Sequence, residues 1–159
     1  MTCILGIDPG ISGALAFYFT EAPDRIAVED MAVAGKMVSA PLLAASIQKH
    51  GPAIAVIESV GARPGQGVSS MFRFGTAYGI AQGVIGALQI PVEFVSPQRW
   101  KKHFHLTGDK ELSRAKAQQL FPACAGSFTR VKDHGRAEAA LIAKYGAETL
   151  FPFSTHQAA

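Results

Sequence analysis

The feature that most constrains the fold is a short apolar run near the start of the chain that ends at an acidic turn. Cys3–Ile7 is almost wholly apolar and rich in branched side chains, which is typical of a central strand buried on both faces of a sheet. Asp8, Pro9 and Gly10 follow directly and form a strong turn signal. The chain is therefore expected to place a carboxylate at the end of a central strand.

Short strands follow this run, and helices dominate later. Segments 13–19 and 25–31 predict two more strands joined by a polar turn, so the first three strands form an antiparallel meander. This order predicts an α/β fold, a mixed five-stranded sheet flanked by helices. The remaining predicted elements are a helix capped by Ser39, strands over 53–57 and 91–95, and helices over 69–88, 97–103, 109–121 and 135–150.

Length and composition limit the class of protein. With 159 residues, 48% hydrophobic and 17% charged, residues 1–159 are expected to form a single domain with a sizeable core. Enzymes with two closing lobes are excluded, since two lobes take roughly 250 residues. Cys3 and Cys124 are too few for a disulfide scaffold. No targeting segment or membrane span is visible, so we expect a reduced, cytoplasmic protein without a membrane partner.

Charge is divided unevenly along the chain. Residues 1–95 hold 5 Lys/Arg against 7 Asp/Glu, whereas residues 96–159 hold 10 against 5. The basic second half predicts a polyanionic partner, the alternative being a solvated helix surface. The basic side chains concerned are Lys101, Lys102, Lys110, Arg114, Lys116, Arg130 and Lys132.

Two acids follow buried strands. Asp8 comes after the first strand and Glu58 after the strand over 53–57. Because the carboxyl ends of parallel strands meet at one edge of a sheet, these carboxylates are expected to lie close together. Taken singly, each has a structural alternative: Asp8 as a turn former and Glu58 as a solvent-facing residue.

A second acidic group begins the last predicted helix. Asp133 and Glu138 are five positions apart, so they can share a site only if Asp133 precedes the helix, where it would also cap it. His134 lies four positions before Glu138 and faces the same way. Glu138 stands among small apolar residues, where a carboxylate needs a neutralising partner. A helix cap with Glu138 on a polar surface is the alternative.

Carboxylates without soft ligands favour Mg²⁺ or Mn²⁺ over zinc. Two such ions about 4 Å apart activate a water and stabilise the leaving oxygen of a phosphodiester. Together with the basic second half, the acids therefore predict a nuclease.

At this point four motifs resemble a known family. The segment 4–13 is similar to the first strand of RuvC-type Holliday junction resolvases, which have a ribonuclease-H-like fold. Three further motifs resemble the phage and plant-organelle branch of this family, which includes the resolvase monokaryotic chloroplast 1. They are Glu58 together with segment 63–72, segment 97–102 and segment 132–139. The resemblance runs from about residue 3 to residue 147.

The resemblance implies a homodimeric, Mg²⁺-dependent endonuclease that nicks two opposing strands of a four-way DNA junction. By position, Asp8, Glu58, Asp133 and Glu138 would be its metal ligands. The bacterial pattern places its last two acids closer together, and here Gly135 stands where one of them would be. Asp133 must therefore reach in from the preceding turn, or His134 substitutes for it or orients a water.

The glycine-rich loop 61–67 is either a connector or an element that enters the junction. In the second interpretation Arg63 and Gln66 read bases, and Met71 or Phe72 acts as a wedge. Ser69 belongs to the same motif and is included among the candidate DNA contacts. Of the basic residues, Lys101 and Arg114 fall near positions of DNA-binding lysines in the bacterial resolvase, and Lys102, Lys116 and Lys132 extend the same surface.

Glycines recur along the long predicted helix at Gly75, Gly79, Gly83 and Gly86. Each lowers helix stability by roughly 1 kcal/mol relative to alanine, so a close backbone contact is expected in compensation. That contact is either with the domain's own sheet or with a second copy of the helix across a two-fold axis. The resemblance favours the dimer.

Alternative functions share parts of this pattern. A ribonuclease-H-like nuclease acting on RNA would keep the carboxylates without preferring junctions. A non-catalytic junction-binding protein would need a defect in metal binding. The strand–Asp–turn–strand opening also resembles the phosphate-binding hairpin of sugar kinases, but those proteins need a second lobe. Trp100 is expected to be a core residue.

Overall fold

The computed structural model describes residues 1–151, and its centre is a five-stranded mixed sheet. The strands are β1 Cys3–Asp8, β2 Ala14–Phe19, β3 Ala27–Asp30, β4 Val33–Ala34, β5 Met37–Val38, β6 Ile54–Glu58 and β7 Val92–Val95. The sheet has the order β3-β2-β1-β6-β7, with β1 antiparallel to β2 and parallel to β6. The predicted meander and mixed sheet are confirmed.

The register of the sheet brings two strand ends together. Ile7 of β1 pairs with Ile57 of β6, so the next residue of each strand, Asp8 and Glu58, comes at the same edge. β7 pairs in parallel with β6 and places Val95 opposite Glu58. The carboxyl ends of three parallel strands therefore form one edge, where α/β proteins bind ligands.

A small hairpin formed by β4 and β5 was not predicted. Its two strands have two residues each, which is too short for an alternating pattern to emerge in the sequence. The hairpin lies between β3 and the first helix, and Val38 is buried in the core while Met37 is 55% exposed.

Five α-helices cover the two faces of the sheet. They are α1 Ala40–His50, α2 Val68–Ala87, α3 Pro97–His103, α4 Lys110–Leu120 and α5 His134–Tyr145, with short 3-10 turns over Pro122–Phe128 and Val131–Asp133 and a π turn over Gly146–Leu150. Side chains alternate along a strand: Leu5 and Ile7 pack towards α1 and α2, whereas Ile4 packs towards α3 and α5. Within residues 1–151, no helix combines the length and apolar character needed to cross a membrane.

Helix α5 lies unusually close to β1. A Cβ added at Gly6 would lie 2.2 Å from the carbonyl oxygen of Ala139 and 2.5 Å from the amide nitrogen of Ala143. Only glycine on the strand and alanines on the helix permit this backbone approach. The approach holds the first turns of α5, including Glu138, beside the end of β1.

The glycines of α2 do not pack on the domain's own sheet, so that interpretation is wrong. Gly75, Gly79, Gly83 and Gly86 are exposed, and a Cβ added at any of them would meet nothing within 4 Å. The sheet-facing side of α2 consists instead of Ala77, Ala81, Val84 and Ile85. The glycines therefore form an open stripe on the outer face of the helix.

Candidate active site

Three carboxylates at the sheet edge are close enough for their charges to affect one another. Asp8 ends β1, Glu58 ends β6, and Glu138 stands in the second turn of α5. Asp8, His134 and Glu138 line a cavity of about 400 Å³. The i, i+4 arrangement of His134 and Glu138 therefore places both on the same side of the helix, as predicted.

The charges of these groups oppose one another. Burial, followed by the negative charges of Glu138 and Glu58, raises the pKa of Asp8 well above its usual range. Burial and Glu138 likewise raise the pKa of Glu58, against a hydrogen bond from Trp100 and the charge of Lys101. Within residues 1–151 none of the three carboxylates forms an ion pair. A cation from outside the chain would relieve this repulsion.

The donor atoms suit a hard divalent cation such as Mg²⁺ or Mn²⁺, because all of them are carboxylate oxygens. Among the described residues, no group of three or more His, Cys, Asp or Glu side chains is arranged to hold a metal ion. Binding through Asp8, Glu58 and Glu138 together would therefore draw their oxygens closer than they lie here. The residues fit the ion by chemistry and charge, and rotation of their side chains would bring the carboxylate oxygens close enough to bind it.

Asp133 does not line the cavity of Asp8 and Glu138 but a second one, which shares His134 with it. It is buried at 1% exposure, and its carboxylate accepts hydrogen bonds from the backbone N, Nε and Nη2 of Arg130 at 2.8, 3.0 and 2.8 Å. These bonds hold the pKa of Asp133 below its usual range. Asp133 is the N-cap residue of α5, as expected, but its side chain makes no capping bond to that helix.

A second arginine extends this network to the sheet. Arg136 lies 3.8 Å from Asp133 and donates two hydrogen bonds, of 2.7 and 2.9 Å, to Asp30 at the end of β3. We call Asp30, Arg130, Asp133 and Arg136 the arginine-linked network. It links the start of α5 to the end of β3 and keeps the Asp133 carboxylate hydrogen-bonded to Arg130.

The structure also explains Gly135. A Cβ there would lie 2.6 Å from the carbonyl oxygen of Ser12, in the turn between β1 and β2. An acid is thus sterically excluded at this position.

The candidate DNA-contacting residues of the loop and α2 do not themselves line this cavity, although Ser69, Met71 and Phe72 are chain neighbours of residues that do. Arg63, Ser69 and Phe72 are exposed, and Gln66 and Met71 are half-buried. Sequence reasoning missed Ser70 and Arg73, which line the cavity with Asp8 and Glu138. Their spacing of three on the first turns of a helix that leaves the site was the available signal.

The predicted basic surface is only partly free. Lys102 and Lys132 are exposed and Lys101 and Lys116 half-buried, and these four form no ion pair within residues 1–151. Lys110, which was named among the basic residues but not among the candidate DNA contacts, lines the cavity beside Asp8.

Arg114 differs from the other basic candidates. Its Nη1 donates to the carbonyl oxygens of Phe128 and Thr129 at 3.2 and 2.8 Å, and it pairs with Glu111. Only 11% of its side chain is exposed. Arg114 therefore ties α4 to the following 3-10 turn and has little surface left for a phosphate.

Trp100 is a core residue, as predicted, and it also contacts the site. The ring is fully buried, and its Nε1 donates a hydrogen bond of 2.6 Å to Oε2 of Glu58. The sequence offered no direct signal for this pairing, because the two residues are 42 positions apart.

The sheet order, the flanking helices and the acidic edge define the ribonuclease-H-like fold of RuvC-type resolvases. No protein-family model matches the chain, and no curated protein matches it by sequence. Among solved structures, it is similar to Thermus thermophilus RuvC in complex with a Holliday junction substrate, with a TM-score of 0.65 and 18% identity over 92% of this chain and 93% of that one.

Two resolvases from other sources share the fold. The fowlpox virus Holliday junction resolvase aligns with a TM-score of 0.55 at 14% identity, over 94% of this chain and 99% of that one. The yeast mitochondrial resolvase Ydc2 aligns with a TM-score of 0.51 at 18% identity, over 89% and 76%. The predicted ribonuclease-H-like fold is confirmed.

Proposed function

We propose that this chain is a Mg²⁺-dependent endonuclease that resolves four-way DNA junctions by paired hydrolysis of phosphodiester bonds. The observation that carries the proposal is the cluster of Asp8, Glu58 and Glu138 at the sheet edge, none of which forms an ion pair within residues 1–151. The similarity to RuvC bound to a Holliday junction substrate over 92% of the chain supports the choice of substrate.

The site residues have separate roles in this proposal. Asp8, Glu58 and Glu138 would hold Mg²⁺, for which Mn²⁺ would substitute; the bound ion supplies Lewis acidity and a water of lowered pKa. His134 faces the same cavity as Glu138 and would orient the attacking water. Asp133 would join the metal site only by exchanging its bonds to Arg130.

Cationic side chains around the cavity would hold the DNA. Arg73 and Lys110 line the cavity beside Asp8 and would bind the phosphates next to the scissile bond. Lys101, Lys102, Lys116 and Lys132 would neutralise phosphates farther along the arms, which makes binding salt-dependent.

The loop before α2 would read the junction. Arg63 and Gln66 would hydrogen-bond to bases, and Phe72, at 78% exposure, would insert between base steps with Met71 beside it. Ser69, exposed at the start of α2, would donate to the phosphate backbone. The motifs around residues 63–72 and 132–139 support placing the chain, as a single domain, in the phage and plant-organelle branch.

The exposed glycine stripe of α2 supports a homodimer. Two nicks on opposing strands need two active sites, and a C2 pair of α2 helices would bury Gly75, Gly79 and Gly83 against their counterparts. Gly79→Glu is expected to give a monomer by sedimentation, because the added charge would enter the helix pair. The monomer fold would be unharmed, since the position is open and glutamate favours helix over glycine by up to about 1 kcal/mol. A Gly79→Glu variant that remains dimeric would place the dimer interface elsewhere.

A cleavage assay tests the main proposal. Wild type and Asp8→Asn are compared on a four-way junction and on linear duplex of the same sequence, with Mg²⁺. Paired nicks confined to the junction and lost in the variant are expected. Tight junction binding without nicks would favour a non-catalytic junction-binding protein, and cleavage confined to RNA would keep the fold but overturn the substrate.

A further inference from the structure

The only tryptophan of the chain contacts a carboxylate of the candidate active site. Trp100 lies in the middle of α3, fully buried in a cluster that includes Ile4, Val56 and Leu141. A close-packed core of this kind leaves a large ring no alternative orientation. The direction of the indole N–H is therefore set by the packing of β1, β6, α3 and α5.

That N–H points at one atom. Nε1 donates to Oε2 of Glu58 at 2.6 Å, and an indole nitrogen can only donate. Bonds from an N–H to a carboxylate are among the stronger hydrogen bonds in proteins. Within residues 1–151, this is the one hydrogen bond that the Glu58 carboxylate forms, so Oε1 has no donor.

We propose that Trp100 is a positioning residue that fixes the rotation of the Glu58 carboxylate, holding Oε2 and leaving Oε1 to a divalent cation shared with Asp8 and Glu138. The inference rests on the proposed function, because it assigns a use to the free oxygen. Partners that hold the second atom of a metal ligand typically change metal affinity about 10–100-fold when they are removed. Without such a role, Trp100 would be a core residue that merely satisfies its own N–H.

The first experiment examines the hydrogen bond without metal. In protein labelled with ¹⁵N, the single tryptophan gives a single indole N–H resonance. Glu58→Gln is expected to shift this resonance strongly, because it removes the charge of the acceptor. Glu138→Gln is the matched control and should leave it nearly unchanged. An indole resonance that responds equally to both variants, or to neither, would overturn the pairing.

The second experiment measures Mn²⁺ binding by calorimetry in the absence of DNA. Trp100→Phe keeps an aromatic ring but removes the donor, and we expect it to weaken Mn²⁺ binding by at least about tenfold. Phe104→Leu, in the same buried cluster, removes aromatic volume without touching Glu58 and should bind Mn²⁺ like wild type. Thermal unfolding of both variants reports the packing loss separately.

The outcomes separate this inference from the proposed function. If wild type binds Mn²⁺ and cleaves junctions while Trp100→Phe binds Mn²⁺ equally well, the positioning role is overturned and the proposed function stands. Equal losses of affinity in Trp100→Phe and Phe104→Leu would also overturn it, since packing alone would explain them. A wild type that binds no Mn²⁺ would overturn both the proposed function and the positioning role, leaving only the hydrogen bond to be decided by the resonance.

Discussion

Two groups of acids, one including Glu138 in α5 and the other including Asp133 just before that helix, are in opposite electrostatic states. Within residues 1–151, Asp8, Glu58 and Glu138 form no ion pair, and the pKa values of Asp8 and Glu58 are raised. In the arginine-linked network, Asp133 is paired to Arg130 and its pKa is lowered. The first group has cationic neighbours, Lys101 and Lys110, but no ion pair within residues 1–151. In the second group Asp133 is paired with arginine.

This difference in pairing distinguishes acids that bind a ligand from acids that stabilise the fold more clearly than their positions in the sequence do. A buried carboxylate without a cation is unfavourable unless a ligand brings the charge. A buried carboxylate that already accepts three hydrogen bonds from an arginine has little reason to leave it. The comparison therefore supports the proposal that Asp8, Glu58 and Glu138 hold the metal while Asp133 anchors α5.

The largest effect is expected from Asp8→Asn. Loss of a central metal ligand removes several kcal/mol of transition-state stabilisation, which corresponds to a drop in junction cleavage on the order of 10³-fold or more. Because the variant also removes repulsion with Glu138 and Glu58, the metal-free protein should gain a few degrees in Tm. Single-turnover cleavage and thermal unfolding check the two effects together.

A variant that loses both activity and stability would contradict this interpretation of Asp8, since it would indicate an undetected structural partner. Glu138→Gln provides the matched test within the same cluster. It should repeat the pattern, with activity lost and metal-free stability kept or increased.

Asp133→Asn is expected to lower stability more than cleavage, the opposite of Asp8→Asn. Loss of charge-assisted bonds to Arg130 should lower stability by about 2 kcal/mol, or roughly 5 °C in Tm. Cleavage should fall much less than in Asp8→Asn at temperatures where the variant is folded. Asp30→Asn serves as control: its side chain is 67% exposed, and loss of an exposed ion pair changes stability little. If Asp133→Asn abolishes Mn²⁺ binding while keeping the wild-type Tm, Asp133 belongs with the metal ligands.

The two groups should also respond to pH in opposite directions. Since the folded-state pKa values of Asp8 and Glu58 are raised, their contribution to stability is greatest below the unfolded pKa and is lost as pH rises through the folded pKa. Since that of Asp133 is lowered, its contribution is present above the unfolded pKa and is lost as pH falls through the folded one. The free energy of unfolding of the metal-free protein is therefore measured against pH. Asp8→Asn should reduce the loss of stability as pH rises, and Asp133→Asn should reduce the loss of stability as pH falls. Identical curves for the two variants would remove the distinction.

Most of the fold, and the grouping of Asp8, Glu58 and Glu138, could be inferred from local patterns. Asp8 and Glu58 follow buried parallel strands, and that rule alone brings them to one edge. The state of Asp133 could not be inferred, because Arg130 contacts it through a 3-10 turn that has no clear sequence signal. The exclusion of an acid at Gly135 likewise depends on a contact with Ser12, which only the packed hairpin creates.

The smallest expected effect concerns the cations, and it extends the same comparison to the DNA surface. Lys102 is exposed and forms no ion pair within residues 1–151, whereas Arg114 is held by Phe128, Thr129 and Glu111. In junction binding measured against salt, Lys102→Ala should reduce the slope of log Kd by about 1. Arg114→Ala should leave the slope unchanged and lower Tm instead, because the Thr129 carbonyl oxygen loses its donor, whereas that of Phe128 keeps a bond from Gln118. An Arg114→Ala variant with a reduced slope and wild-type Tm would show that the guanidinium leaves its internal partners to bind phosphate. The distinction between paired and free basic side chains would then not hold for Arg114.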